Sequence, residues 1–152
     1  MKTLTNTTDR LAIERRLGLV RPDLARRWGK MSAHQMVCHL TDSFRGVMGE
    51  KAVVVKPGTF GRGLLKWMAL YSRVPWPHGV KTMPEMDQLI GGTPPLEFEE
   101  DREALRVLLE RFTREPRDFV WRKHPIFLVM NDVDWMRWGY LHMDHHFRQF
   151  GV

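Results

Sequence analysis

Residues 131–152 read NDVDWMRWGYLHMDHHFRQFGV, and this stretch decides the fold. Asn131 and Asp132 are good helix caps and no proline follows, which predicts a helix from there to Phe150. Each helical residue turns by about 100°, so positions three and four apart share a face. Trp135, Trp138, His142, His146 and Gln149 then lie along one arc, flanked by Met136, Tyr140, Met143, Phe147 and Phe150. Asp134, Arg137, Asp144 and Arg148 gather on the opposite side. His142 and His146 therefore belong to the buried half of the helix, and His145 to its edge. Two histidines at i and i+4 on an inward face project parallel imidazoles within reach of one ion. The pattern is short and common, and alone it more often marks core histidines than a metal.

Working outward, Glu99 to Thr113 carries the same period, with Leu105, Leu108, Leu109 and Phe112 on one face and Pro116 beyond its end. Ser32 caps a further helix that runs to about Met48 and is closed by Gly49. Its apolar face is Ala33, Met36, Leu40, Phe44 and Val47. Near the start, Thr8 or Asp9 caps a short helix with Leu11, Ile13 and Leu17 that stops near Gly18. Pro22-Asp23 restarts the chain and Gly29 breaks it again. Residues 49–95 hold 7 of the 12 glycines and 6 of the 9 prolines, and predict loop around one short helix, Arg62 to Ser72. A connection of this length is functional or a lid. Only Ala52 to Lys56 looks strand-like, and a lone strand has nothing to pair with. The expected class is all-α: a four-helix bundle with a long Gly/Pro-rich crossover between its second and third helices.

The 152 residues suit one domain, 1–152, and 43% hydrophobic with 28% charged residues is ordinary for a globular chain. Cys38 is the sole cysteine, which excludes an internal disulfide and suits a reducing compartment. No run of 18 apolar residues exists, and MKTLTNTTDRLAIERR lacks the apolar core of a secretory signal, so the expected location is cytoplasmic. Lys and Arg exceed Asp and Glu by 24 to 18, a net charge of +6, but the basic residues are scattered or interleaved with acids. That distribution argues against a nucleic-acid partner.

The helix capped by Ser32 carries further histidines, of which His39 reads alone either as an interfacial residue or as part of a site. His39 flanks the apolar stripe, beside Gln35, Asp42, Ser43 and Gly46, a polar strip that suits a site at a bundle seam. Asp42 is placed to hold an imidazole N–H or a bound water. His34 points elsewhere and reads as solvent-exposed. Cys38 precedes His39, but neighbours on a helix diverge by about 100° and form no nucleophile–base pair. It reads as a small buried thiol. Glu99-Glu100-Asp101 reads as the acidic first turn of a helix. No P-loop, GxGxxG or GxSxG is present.

The segments RRWGKMSAHQMVCHLTDSFR and HPIFLVMNDVDWMRWGYLHMDHHFRQFGV together resemble the DinB/YfiT-like superfamily, in particular a branch of unknown function. The resemblance covers most of the chain. It implies a four-helix bundle holding a divalent metal by three histidines, which match His39, His142 and His146 here. The long middle segment departs from that pattern by exceeding what the bundle needs. His124-Pro125, another shared feature, either donates into the pocket or packs against the bundle end.

Three neutral histidines leave a divalent ion one open position, where a water is acidified to a pKa of about 7 on zinc or a thiolate is presented as nucleophile. Zinc, nickel, iron and manganese all accept imidazole. Some members of the superfamily resemble transferases or isomerases that use a low-molecular-weight thiol. The expected function is thus a metal-dependent hydrolase or thiol S-transferase acting on a small molecule. The alternative is a non-catalytic metal- or ligand-binding bundle connected with stress. Gln149 and Asp42 are the expected outer partners of the ligands, with His145 and His124 as further pocket candidates. Bundles of this kind often pair through a helix face, which makes a homodimer a candidate assembly.

Overall fold

The computed structural model describes residues 1–55 and 62–152. Among them are five helices and no strand: α1 (Thr7–Leu19), α2 (Ala33–Met48), α3 (Arg62–Tyr71), α4 (Phe98–Thr113) and α5 (Asp132–Gln149). A single 3₁₀ turn, Pro84–Met86, lies between α3 and α4. The all-α expectation holds. Of the strand-like AVVVK run, residues 52–55 are irregular and Lys56 lies outside the described residues.

Local chemistry sets the helix ends. Ser32 and Gln35 form a reciprocal capping box on α2, and Asn131 and Asp134 form another on α5. Gly49 closes α2 in the left-handed conformation (φ 87°) that only glycine adopts without strain. The first helix differs from expectation. Asn6, not Thr8 or Asp9, accepts the Asp9 N–H as its cap, and the helix runs past Gly18 to Leu19. One glycine costs a helix only about 1 kcal/mol, less than the burial of Leu17 beside it returns. Residues 20–32 form no further helix.

Packing pairs α2 with α4 and α1 with α5, while α3 lies on α5. Thirteen of the 16 residues of α2 are buried, so its polar strip is enclosed as well as its apolar stripe. The Leu105, Leu108, Leu109 and Phe112 face of α4 is buried as its period requires. On α1, Ile13 and Leu17 are buried but Leu11 is exposed. Arg16 ties α1 to α5 through Asp144 (2.6 Å). Asp134 departs from its expected place on the solvent side of α5. It is 3% exposed and receives Lys66 Nζ (2.8 Å) and the Tyr71 hydroxyl (2.6 Å), which dock α3 on the first turn of α5.

Candidate metal centre

His39 comes from the middle of α2, and His142 and His146 from successive turns of α5. The three rings form a nearly equilateral triangle, with centroids 5.2 Å (His39–His142), 4.8 Å (His39–His146) and 5.0 Å (His142–His146) apart. One nitrogen from each lies within 4.8 Å of the others. His39 and His146 are 5% and 8% exposed, and His142 is partly exposed as a residue although its Nδ1 is buried.

Hydrogen bonds fix which nitrogen two of the three rings offer. His39 Nδ1 lies 2.9 Å from the Met86 carbonyl, which only accepts, so Nδ1 carries the proton and Nε2 keeps its lone pair. Gln149 Nε2 donates to the Trp28 carbonyl (2.8 Å), which turns Gln149 Oε1 toward His146. His146 Nδ1 donates to that oxygen at 2.9 Å, which leaves its Nε2 to carry the ring's lone pair. His142 Nε2 faces His39 Nε2 at 3.2 Å. His142 Nδ1 is buried with no partner among the described residues.

With no ion present, the 3.2 Å contact is a hydrogen bond from His142 Nε2–H to the His39 Nε2 lone pair, and in the other His142 tautomer the two lone pairs face one cation position. Bonds of about 2.0–2.1 Å from imidazole to zinc place neighbouring ligand nitrogens about 3.3–3.4 Å apart around a tetrahedron. The residues present therefore fit a divalent ion. The Met86 carbonyl and the Gln149 amide oxygen orient two of the three rings and would be the outer partners of a bound ion.

Burial, the largest influence, lowers the pKa of all three rings. Mutual repulsion lowers His142 and His146 further, while the Met86 bond partly offsets the effect at His39. Among the described residues no carboxylate bonds to these rings. The set is thus neutral at pH 7, the state a metal ligand requires.

The other expected site residues fall in different places. Gln149 is hydrogen-bonded to His146. His145 stands at the edge of the set, 5.3 Å from His146 and 6.0 Å from Trp76 between ring centroids. Asp42 does not hold an imidazole. Its fully buried carboxylate takes Thr93 N and Oγ1 (both 2.7 Å), Gln88 Nε2 (3.2 Å) and Lys51 Nζ (2.8 Å). It fastens residues 88–93 onto α2, and the same connection delivers Met86 to His39. His124 does not donate into the pocket either. Its Nδ1 accepts the Ile126 and Phe127 N–H groups (3.1 Å each), its ring stacks on Phe127, and Trp138 lies between it and His142. His34 is not free in solvent, since its Nε2 meets Asp101 Oδ2 at 2.7 Å. Cys38 is buried and its thiol is pushed up to about 12, foremost by burial, so it is no nucleophile at neutral pH.

Met86, Trp28 and Trp76 were missed by the sequence. The first two act through backbone carbonyls, for which no residue type is diagnostic.

His124 makes stability depend on pH. Burial lowers its pKa from 6.5 to about 3, so the unfolded chain takes up a proton that the folded one refuses. Its contribution is complete above pH 6.5 and is lost as the pH falls toward about 3. Within that window each such histidine costs about 1.4 kcal/mol per pH unit. Thermal melts of metal-free protein at pH 7.5, 6 and 5 are expected to fall progressively. His124→Asn should flatten the fall by about one proton's worth. An unchanged slope in that variant would contradict the assignment.

Comparison of the chain with family models, with curated proteins and with solved structures finds no match. The function is therefore argued from the geometry of the site.

Proposed function

We propose that this chain is a DinB/YfiT-like helical bundle whose three-histidine centre holds a divalent ion and acts on a small molecule, as a hydrolase or a thiol S-transferase. The convergence of one nitrogen from each of three rings, two of which hold their Nδ1–H on a carbonyl and an amide oxygen and so leave Nε2 to bind, carries this reading. The packing of α2 on α4 and α1 on α5 supports the bundle, and residues 49–97 are its crossover. A bound ion supplies Lewis-acid chemistry, keeping a position open for a water or thiol and lowering that ligand's pKa. Zinc, nickel, iron and manganese all suit the donor set.

Beside the centre, though lined by none of its three histidines, lies a cavity of about 300 Å³ that would admit a small substrate. Trp76 and His145 line it and also flank the histidines, with Trp76 6.0 Å from His142. Arg73, Arg137 and Arg148 lie on its wall against one carboxylate, Asp144, which Arg16 and Arg148 already engage. Such a wall favours an anionic substrate group. Trp76 and Trp138 shield the rings from bulk water, which strengthens every charge interaction there. His145, held neutral foremost by its burial, is the side chain placed to move a proton.

Elemental mass spectrometry on tag-free protein tests the centre. His142→Ala is expected to carry about one divalent ion per chain fewer than wild type. Equal metal content in the two, after incubation with zinc, nickel and manganese, would overturn the reading. With an ion established, activated esters and thiol-conjugation substrates bearing a carboxylate are the first to screen, and His142→Ala should abolish any turnover found.

A further inference from the structure

One residue from His39, α2 carries a second convergence of donor atoms. His34 and Cys38 stand one turn apart on α2, and Asp101 reaches them from the first turn of α4. One ligand atom from each lies within 4.8 Å of the other two. Asp101 Oδ2 meets His34 Nε2 at 2.7 Å, Cys38 Sγ at 3.6 Å and Leu96 N at 3.1 Å, so three donors crowd one carboxylate oxygen. Of the acidic run at the start of α4, Asp101 is the residue engaged here. Cys38 is buried, while the His34 and Asp101 side chains are 17% and 23% exposed. The cluster is therefore closed on the core side and open to one further ligand from solvent.

Imidazole nitrogen, thiolate sulfur and carboxylate oxygen are the three donors zinc takes. With zinc bonds of about 2.3 Å to sulfur and 2.0–2.2 Å to nitrogen or oxygen, tetrahedral ligand atoms stand about 3.3–3.7 Å apart. The sulfur–oxygen separation of 3.6 Å already matches this spacing, and the 2.7 Å contact opens by under about 1 Å to meet it. An i, i+4 pair on one helix with a third ligand from its neighbour is also the arrangement at the histidine centre. Here, however, the set includes sulfur.

We propose that His34, Cys38 and Asp101 form a second divalent metal site, of the zinc type, which clamps the N-terminal half of α2 to the first turn of α4. Binding exchanges the Cys38 thiol proton for the ion: the sulfur–hydrogen bond breaks, the sulfur–metal bond forms, and the proton leaves to solvent. The ion ties together the two helices at the point where the long connection rejoins the fold. The site stands independently of the histidine centre.

Cobalt(II), added alone to the full chain, separates the two sites, because only this one produces a thiolate-to-metal charge-transfer band in the near ultraviolet. His142→Ala, with the histidine centre disabled, is expected to bind one cobalt and show the full band. Cys38→Ser, a single-atom exchange, should lose the band yet still bind one ion at the histidines. Loss even of an outer partner costs about 10–100-fold in metal affinity, so His34→Gln and Asp101→Asn should each weaken band formation by at least about tenfold. Circular dichroism of each variant confirms its fold. Absence of the band in folded His142→Ala with excess cobalt would overturn the proposal. So would a band that persists undiminished in His34→Gln and Asp101→Asn. Failure of the histidine centre would show separately, as loss of the sulfur-free ion in Cys38→Ser.

Discussion

Zinc is expected to raise the melting temperature of metal-free Cys38→Ser protein by about 5–16 °C, and adding His142→Ala should cancel the rise. The Cys38→Ser background leaves the three-histidine centre as the metal site under test. An ion that binds the folded state alone stabilises it by about 2.7 kcal/mol at 100 times its dissociation constant and about 4.1 kcal/mol at 1,000 times. For chains of this size each kcal/mol moves the melting temperature by about 2–4 °C. The pH dependence follows from the environment of the rings. Burial holds all three pKa values below 6.5, so the folded site stays free of protons where an exposed histidine would charge. The zinc-induced rise should accordingly persist at pH 6. A melting temperature indifferent to zinc, nickel and manganese, or one that still rises in the double variant, would remove the basis for a metal-dependent activity.

The helices and the pairing of His142 with His146 were legible because both rest on side-chain periodicity, whereas His39 joined them through the family resemblance. The His142/His146 spacing, the apolar stripe of α2 and the Leu105–Phe112 face of α4 are all helical periods. A helical period specifies a face without knowledge of its partner. What was illegible came from partners distant in sequence. Asp42 looked like a companion to His39 because both lie in one polar strip, but that strip is covered by residues 86–93, and Thr93 and Lys51 claim the carboxylate. Asp134 looked solvent-facing because its helical neighbours are charged, yet α3 arrives from more than 60 residues upstream with Lys66 and Tyr71. His34 and Asp101 are separated by 67 positions and each reads alone as a surface group. The Met86 carbonyl had no signature at all, since any residue at that position offers the same atom.

Phe112→Ala is expected to destabilise the fold by about 3–5 kcal/mol, the usual cost of emptying a buried phenylalanine site. The Phe112 ring lies edge-on to Phe44 of α2 (4.7 Å) and to Trp121 (4.9 Å), and tilted against Trp138 of α5 (6.4 Å). It is fully buried where α2, α4 and α5 meet. Gly139 is part of the same contact, for a Cβ there would come within 3.0 Å of Phe112 Cε1 and 2.7 Å of Leu4 Cδ1. No side chain fits between the helices at that point, so the helix backbones cannot close on the cavity left by alanine, and only neighbouring side chains can shift into it. The same crowding makes Gly139→Ala destabilising alone, and Phe112→Leu should relieve part of its cost. The double variant should then depart from additivity by about 0.5–1 kcal/mol in the favourable direction. Trp138 carries the effect to the centre, because its other neighbour is the His142 ring at 4.9 Å. With Phe112 removed, Trp138 gains room to move and His142 loses a fixed wall, so zinc affinity should fall in Phe112→Ala although no ligand has changed. Denaturant unfolding gives the stability and a chelator competition gives the affinity. A loss below about 1 kcal/mol would show that the three helices do not meet on this ring. A full loss of stability with unchanged zinc affinity would show that the core and the centre are held independently.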